Sequence, residues 1–290
     1  MQVVINGFIS GLQIAVLAMA FQAVYLPTRL FFVGLAGLYA ATPFVFIIFQ
    51  NLLENAVAAA FVTMMIVGLL AIGCEVLNHA PLSRRGASDG AHLVSSLGLY
   101  VLLSQGVAMV WGNDPRFLRS GIDDKQEFWG MTLTNSQVIA AVASITILLV
   151  FIAVLRITKI GLRLRALADN PSQFALYGHN TAWYRLAAFG LSGALCAAAA
   201  LLTAYDVGFD PQTGLHAVLL AVVAVIIGGR SSFMAPIVGG LLVGLVRAEV
   251  GWHWSASWRE LATFVLLAMF LFLLPKGILG QRLRIEASYQ

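Results

Sequence analysis

Residues 156–181 read RITKIGLRLRALADNPSQFALYGHNT, a basic stretch between two strongly apolar ones. Arg156, Lys159, Arg163 and Arg165 are opposed in charge by Asp169 alone. Lysine and arginine in short loops mark the cytoplasmic side of a membrane, so this loop is expected to face the cytoplasm. It also spells a short helix. Asn170 suits the N-cap, Pro171 the first helical position and Gln173 the third position of a capping box. Gly178 suits a left-handed stop. The expected product is a capped helix of roughly two turns, displayed by a membrane protein as something that docks.

Working outward, composition agrees with a membrane setting. Hydrophobic residues make up 60% of the 290 and charged ones only 10%, against about 25% charged in ordinary soluble domains. Mean hydropathy is +0.89. A soluble chain of this kind would lack the polar surface to cover itself. The net charge of +4 sits in short loops beside apolar spans, without a basic stripe interleaved with stacking aromatics, so no nucleic-acid partner is expected. Cys74 and Cys196 lie inside apolar stretches and read as buried structural thiols. The N-terminus lacks the basic region and small-residue cleavage site of a secretory signal, so residues 6–26 read as a retained first span.

A helix needs about 20 apolar residues to cross the hydrocarbon core. Segments 6–26, 30–49, 54–77, 91–111, 136–155, 182–204 and 258–274 qualify. Between 215 and 247 lie two shorter runs split by Gly228, Gly229, Arg230, Ser231 and Ser232, which read as a pair of short helices or a hairpin with both outer ends on one side. Arg29, Arg84, Arg85, the loop 156–165, Lys276, Arg282 and Arg284 are assigned to the cytoplasm. The opposite loops are neutral or acidic: 112–135 sets Arg116, Arg119 and Lys125 against Asp114, Asp123, Asp124 and Glu127, and 205–214 carries Asp206 and Asp210. The two sets alternate across the spans. The expectation is an all-α polytopic bundle, one domain over 1–290, with eight or nine membrane segments, N-terminus outside and C-terminus inside. Trp111, Phe117, Phe128 and Trp129 fit an interfacial belt or a short surface helix in 112–135, or contact with an external partner. Trp252, Trp254 and Trp258 mark the same interface.

Small residues cluster where helices would touch. Gly7 and Gly11, then Gly240 and Gly244, stand in GxxxG spacing, with Gly239 beside the second pair and Gly190, Ser192 and Gly193 in the sixth span. Polar groups at depth are few: Gln13, Gln22, Thr63, Ser104 and Gln105, with Glu54 and Glu75 near opposite ends of the third span. An ionised side chain near the bilayer centre costs roughly 2.5–3.5 kcal/mol on insertion scales. No proton relay, arginine ladder or carbonyl filter is present, which argues against an ion-coupled pump, a voltage sensor or a potassium-type channel. Gln13, Gln22 and Gln105 either bond between helices or line a solute path. No phosphate loop with its lysine occurs, so ATP chemistry belongs to another chain. His79, His92, His179, His216 and His253 are scattered without metal-ligand spacing; neither metal, cofactor nor catalytic group is expected.

Several stretches together resemble one family. GLRLRALADNPSQFALYGHN at 161–180, AVIIGGRSSFMAPIVGGLLVGLV at 224–246 and LLPKGILG at 273–280 are similar in order and spacing to the permease subunits of branched-chain amino acid ABC transporters, which also include urea and amide importers. The opening NGFISGLQIAVLAMAFQAVY at 6–25 resembles that family's first span. The resemblance implies a coupling helix gripped by an ATP-binding subunit, centred on 170–178. Phe174 and Tyr177 would fill a hydrophobic groove on the ATPase and Arg163 and Arg165 would add charge pairs, with Asp169, Asn170, Ala175 and Gly178 also in the coupling segment. It further implies a second homologous permease, two cytoplasmic ATP-binding subunits, a periplasmic solute-binding protein and a place in a bacterial inner membrane.

Two departures stand out. Residues 30–44, LFFVGLAGLYAATPF, put Phe31, Phe32 and Leu35 where the family carries polar positions, and Arg230 replaces a usual glycine. The path would then be more apolar or take a different solute. The rival reading is a stand-alone channel or facilitator for a small neutral solute, supported by the glycine-split pair 215–247.

Overall fold

The computed structural model describes residues 1–119, 125–128 and 131–279, with 125–128 and 131 given by their backbone. Asp123, Asp124, Trp129, Gly280, Arg282 and Arg284 lie outside the described residues, as do the side chains of Lys125, Glu127 and Phe128.

The chain forms α1 (Gln2–Thr28), α2 (Leu35–Leu53), α3 (Ala56–Cys74), a π-helical turn (Glu75–His79) and α4 (Ala80–Arg84). Then follow α5 (Asp89–Trp111), α6 (Asn135–Ile157), α7 (Lys159–Asp169), α8 (Pro171–Leu176) and α9 (Thr181–Asp206). The fold closes with α10 (Thr213–Gly228), α11 (Ala235–His253) and α12 (Trp258–Leu273). Among the described residues, seven helices are long and apolar enough to cross a membrane: α1, α2, the continuous Ala56–Arg84, α5, α6, α9 and α11. The two runs expected within 215–247 are α10, 16 residues, and α11, 19 residues, so the second is the longer. Of the alternatives for segment 112–135, the short surface helix is not found among the described residues before Asn135. The segment's far part is an antiparallel pair, β1 (Lys125–Phe128) with β2 (Met131–Thr134). Its near part is tied to the loop after α9 by paired backbone bonds between Arg116 and Phe209, 2.9 and 2.8 Å.

Helix α1 is the axis. It is largely apolar and buried along most of its length, as suits a helix in the core of a membrane bundle. It packs against α6, α7, α9, α10 and α11. The glycine spacings seen in the sequence meet each other here. A Cβ on Gly244 would lie 2.3 Å from the Cα of Gly11, and one on Gly240 2.7 Å from the Cα of Ala15. Two backbones therefore touch, the approach that small residues permit inside lipid. The α10–α11 hairpin closes the same way: Cβ atoms on Gly228 and Gly239 would strike the carbonyl oxygens of Ala235 and Ala224 at 2.0 and 1.9 Å. Gly229 turns the chain at φ 122°. The segment after α12 then caps this turn, because Ile278 and Leu279 donate backbone N–H groups to the carbonyls of Ile227 and Gly228 at 2.9 and 2.8 Å. Those carbonyls would otherwise stand unpaired at a helix end. The 224–246 and 273–280 sequences are thus one structural unit.

Candidate functional site

The two cavities lie at the two ends of the bundle. At one end lie the α10–α11 turn, the end of α1, and α7 and α8. Helix α7 begins at Thr158, whose Oγ1 accepts from the Gly161 N–H at 3.0 Å. Gly161 is required by the sharp corner with α6, since a Cβ there would sit 2.4 Å from the Cα of Leu155. Asn170 caps α8 as read from sequence: its Oδ1 accepts from the Gln173 N–H at 3.0 Å, and Pro171 opens the helix. Gly178 follows at φ +79°. The helix itself is six residues long.

Two expected roles on this loop change. Phe174 is only 4% exposed and is packed with Leu164, Leu167, Tyr184 and Ala188. Its ring meets Tyr184 edge-on at 5.3 Å and His179 at 4.9 Å. Burial by its own chain removes it from any groove on a partner. Arg163 also turns inward: its Nη1 donates to the Tyr184 hydroxyl at 2.7 Å, with the guanidinium 5.9 Å from that ring's centre. The side chains displayed outward are Leu176, 87% exposed, and Tyr177, 82% exposed. Asp169, Ala175 and Gly178 are exposed as well. Arg165 lines a cleft of about 200 Å³ with Arg156, Asp169, Ser231 and Ser232.

The other end holds the larger cavity, about 560 Å³, between α1, α2, α9, α10 and α11. Gln13 lines it and donates from Nε2 to Asp206 Oδ2 at 3.3 Å. Arg247 donates to Glu260 Oε1 at 2.7 Å and to Thr263 Oγ1 at 3.0 Å, and His216 Nε2 lies 3.3 Å from the same carboxylate. Arg259 lies on the cavity wall over Gly251. Such a mostly apolar chamber with a few placed polar groups is the usual form of a small-solute site. Of the three glutamines expected on a path, only Gln13 lines this cavity. Gln22 is fully buried and donates to the carbonyls of Arg230 and Ser232, 3.2 Å each, which holds the α10–α11 turn. Gln105 is exposed on α5, outside the cavity lining.

Sequence reading missed Arg247, Arg259 and Glu260, and the pairing of Glu75 with Arg185 at 2.8 Å. A signal was present: each is a charge within an apolar helical stretch, where a partner or an aqueous cavity makes it tolerable.

Taken together, the architecture is that of a multi-span helical membrane protein with a cavity of about 560 Å³ at one end and a capped, exposed helix at the other. The chain belongs to the family described as branched-chain amino acid transport system / permease component, which matches residues 3–274. It is similar to the high-affinity branched-chain amino acid transport system permease protein LivH of Escherichia coli K12, 26% identical over 231 residues, 78% of this chain and 75% of that one. The corresponding permease BraD of Pseudomonas aeruginosa is 24% identical over 296 residues, 97% and 96% of the two chains. A probable LivH of Methanocaldococcus jannaschii is 24% identical over 238 residues, 76% and 72%. Among solved structures, PsaBC from Streptococcus pneumoniae in complex with Fab shares the fold, with TM-score 0.53, 15% identity, and 93% and 91% of the chains covered.

Proposed function

We propose that this chain is one of two membrane-spanning subunits of an ATP-driven importer for amino acids with apolar side chains. A second similar permease, two cytoplasmic ATP-binding subunits and a periplasmic solute-binding protein would complete it in a bacterial inner membrane. In this reading α10 and α12 also enter the bilayer, giving nine membrane segments. The end bearing Arg156, Lys159 and Arg165 faces the cytoplasm, which places the N-terminus outside. The 560 Å³ cavity is then the outer part of the solute path, and α8 is the coupling helix.

The observation that carries the proposal is the outward pair Leu176 and Tyr177 on a helix fixed from behind by Phe174. Two large apolar side chains exposed on a rigid, capped helix suit a groove on a partner. ATP-driven closure of that partner would move α8, and Tyr184 would carry the displacement into α9. The test is co-purification of the tagged permease with its ATP-binding subunits. Leu176→Asp with Tyr177→Asp is expected to abolish capture of the ATPase and ATP-driven uptake, while the permease still reaches the membrane folded. Unchanged capture and uptake would sink the coupling role. Solute flux without any ATPase would instead favour a facilitator.

A further inference from the structure

The smaller cleft, about 200 Å³, lies where four parts of the chain converge. Leu26 comes from the end of α1, Arg156 from the end of α6, Arg165 and Asp169 from α7, and Ser232 from the α10–α11 turn. Its size is below the roughly 300–1,000 Å³ of pockets that enclose a drug-sized ligand. It suits one compact polar group.

Three features favour an anion there. The first is Arg165, whose side chain is only partly exposed and whose Nε is buried without a hydrogen-bond partner among the described residues. A buried charged donor left without an acceptor is costly, and the guanidinium fork matches phosphate oxygens. The second is charge. Arg156 and Arg165 are opposed in the lining by Asp169 alone, and among the described residues no carboxylate lies within ion-pair distance of either arginine. One positive charge is left over. The third is the start of α11. Met234, the residue before it, lines the cleft, and the helix begins with neither a side-chain cap nor an acidic residue in its first turn. Such an end carries a partial positive charge that favours an anion. Ser232 adds a hydroxyl: its oxygen accepts from the Met234 N–H at 3.2 Å, which leaves its hydrogen to donate.

The surroundings indicate what carries the anion. Ile157 and Leu162, at the corner between α6 and α7, are 82% and 60% exposed. Leu162 stands one turn before Arg165 on α7, where side chains three apart are neighbours. Apolar side chains beside arginines at the end of a membrane span match the boundary between acyl chains and headgroups. An anion free in water would gain nothing from them. The single surplus charge also matches a phosphodiester, which carries one negative charge, better than a phosphate monoester, which carries about 1.5 to 2.

We propose that this cleft is a headgroup site for an anionic phospholipid. Arg165 and Arg156 bind the phosphodiester, Ser232 and the start of α11 stand behind it, and the acyl chains lie along Ile157 and Leu162. The assignment goes beyond the importer reading and does not need it, since binding requires neither solute nor ATPase. A lipid held there ties the α6–α7 corner to the α10–α11 turn.

The experiment follows the thermal midpoint of the full-length permease purified in a neutral detergent. Three probes are titrated: dioctanoyl phosphatidylglycerol, dioctanoyl phosphatidylcholine and inorganic phosphate. Phosphatidylglycerol is expected to raise the midpoint saturably, at a concentration at least about ten-fold below that needed of either other probe. Arg165→Gln and Arg156→Gln should each raise the phosphatidylglycerol concentration required by about ten-fold or more. Arg165→Lys should fall between, because an ammonium meets phosphate as a point charge. Arg156 is exposed, so its variant keeps the test available if Arg165→Gln fails to fold. Arg85→Gln removes an exposed cation from the loop after α4 and should leave the titration unchanged, which separates a site from general attraction to anionic surfaces. No saturable effect of phosphatidylglycerol, or equal weakening in Arg85→Gln and the cleft variants, would overturn the proposal. Inorganic phosphate acting as well as phosphatidylglycerol would overturn the lipid as the source of the anion. Lipid binding that survives both arginine variants while ATPase capture is lost would assign the cleft to an acidic group of the partner, and overturn it too.

Discussion

Phe174 and Tyr177 stand three positions apart around α8 and meet opposite surroundings. Phe174 is enclosed by Leu164, Leu167, Tyr184 and Ala188, whereas Tyr177 is 82% exposed. Sequence offers two aromatic residues of similar size on one short helix, and nothing in their spacing says which one the chain keeps for itself. The difference separates stability from partner binding. Phe174→Ala would leave a cavity in a small satellite core and is expected to cost about 3–5 kcal/mol, read as a clear fall in the thermal midpoint of the purified permease. Tyr177→Ala removes an exposed ring and is expected to stay within about 0.5 kcal/mol while weakening ATPase capture. A Tyr177→Ala protein as unstable as Phe174→Ala would show that this outer face is already covered by the chain itself.

Among the elements, the π-helical turn between α3 and α4 connects the loop end to the outer helices. Glu75 opens that turn at 2% exposure and accepts from Arg185 at 2.8 Å; Arg185 also reaches Ser83 at 3.3 Å. His92 lies 3.5 Å from Ser83 and 3.2 Å from His79, so one polar chain runs from the start of α9 through α3 and α4 to α5. A widened turn of this kind is often kept for what it lets side chains reach. Glu75 is buried but the Arg185 side chain is 24% exposed, so removing Glu75 leaves a partly solvated charge, and Glu75→Ala is expected to destabilise by about 1–3 kcal/mol, measured by thermal unfolding. The exchange Glu75→Arg with Arg185→Glu should recover part of that loss; no recovery would mean that the surrounding geometry, not the pair, sets the cost. Legibility follows the range of the interaction. The Asn170 cap and the Gly178 stop were readable because their partners lie within a few residues. Six of the seven expected spans were readable from length, whereas α12, expected as the seventh, has 16 residues and α11, expected as a short run, has 19; the proposed coupling role rests on family resemblance. The π turn was not readable, since its reason is a residue 110 positions away. Nor was the hairpin in 112–135, because four-residue strands leave too little alternation to detect.

At the scale of the whole molecule, the α1–α11 seam joins the cavity end to the end that carries the α10–α11 turn. Gly7 and Gly11 on α1 face residues 240–248 of α11, and Gly244 comes so close to Gly11 that a Cβ would lie 2.3 Å from its Cα. The obstacle is backbone, which cannot rotate away as a side-chain tip can. One end of this seam carries Asn6 and Arg247 on the cavity wall; the other leads to the hairpin turn held by Gln22. Prying the helices apart should therefore disturb the cavity and the turn together. Gly244→Val forces backbone shifts in a packed interface, and overpacking of this kind costs about 1–3 kcal/mol or more. The fitting control is Gly106 on α5, where an added Cβ meets nothing within 4 Å. Gly106→Ala in the purified chain should be neutral or slightly stabilising, by up to about 1 kcal/mol from helix propensity. Thermal unfolding of both variants in lipid nanodiscs, with leucine titrated into each, decides the matter. Gly244→Val should lose midpoint and leucine-dependent protection together, while Gly106→Ala keeps both. A Gly244→Val protein that unfolds early yet binds leucine normally would uncouple the seam from the cavity and confine its role to stability.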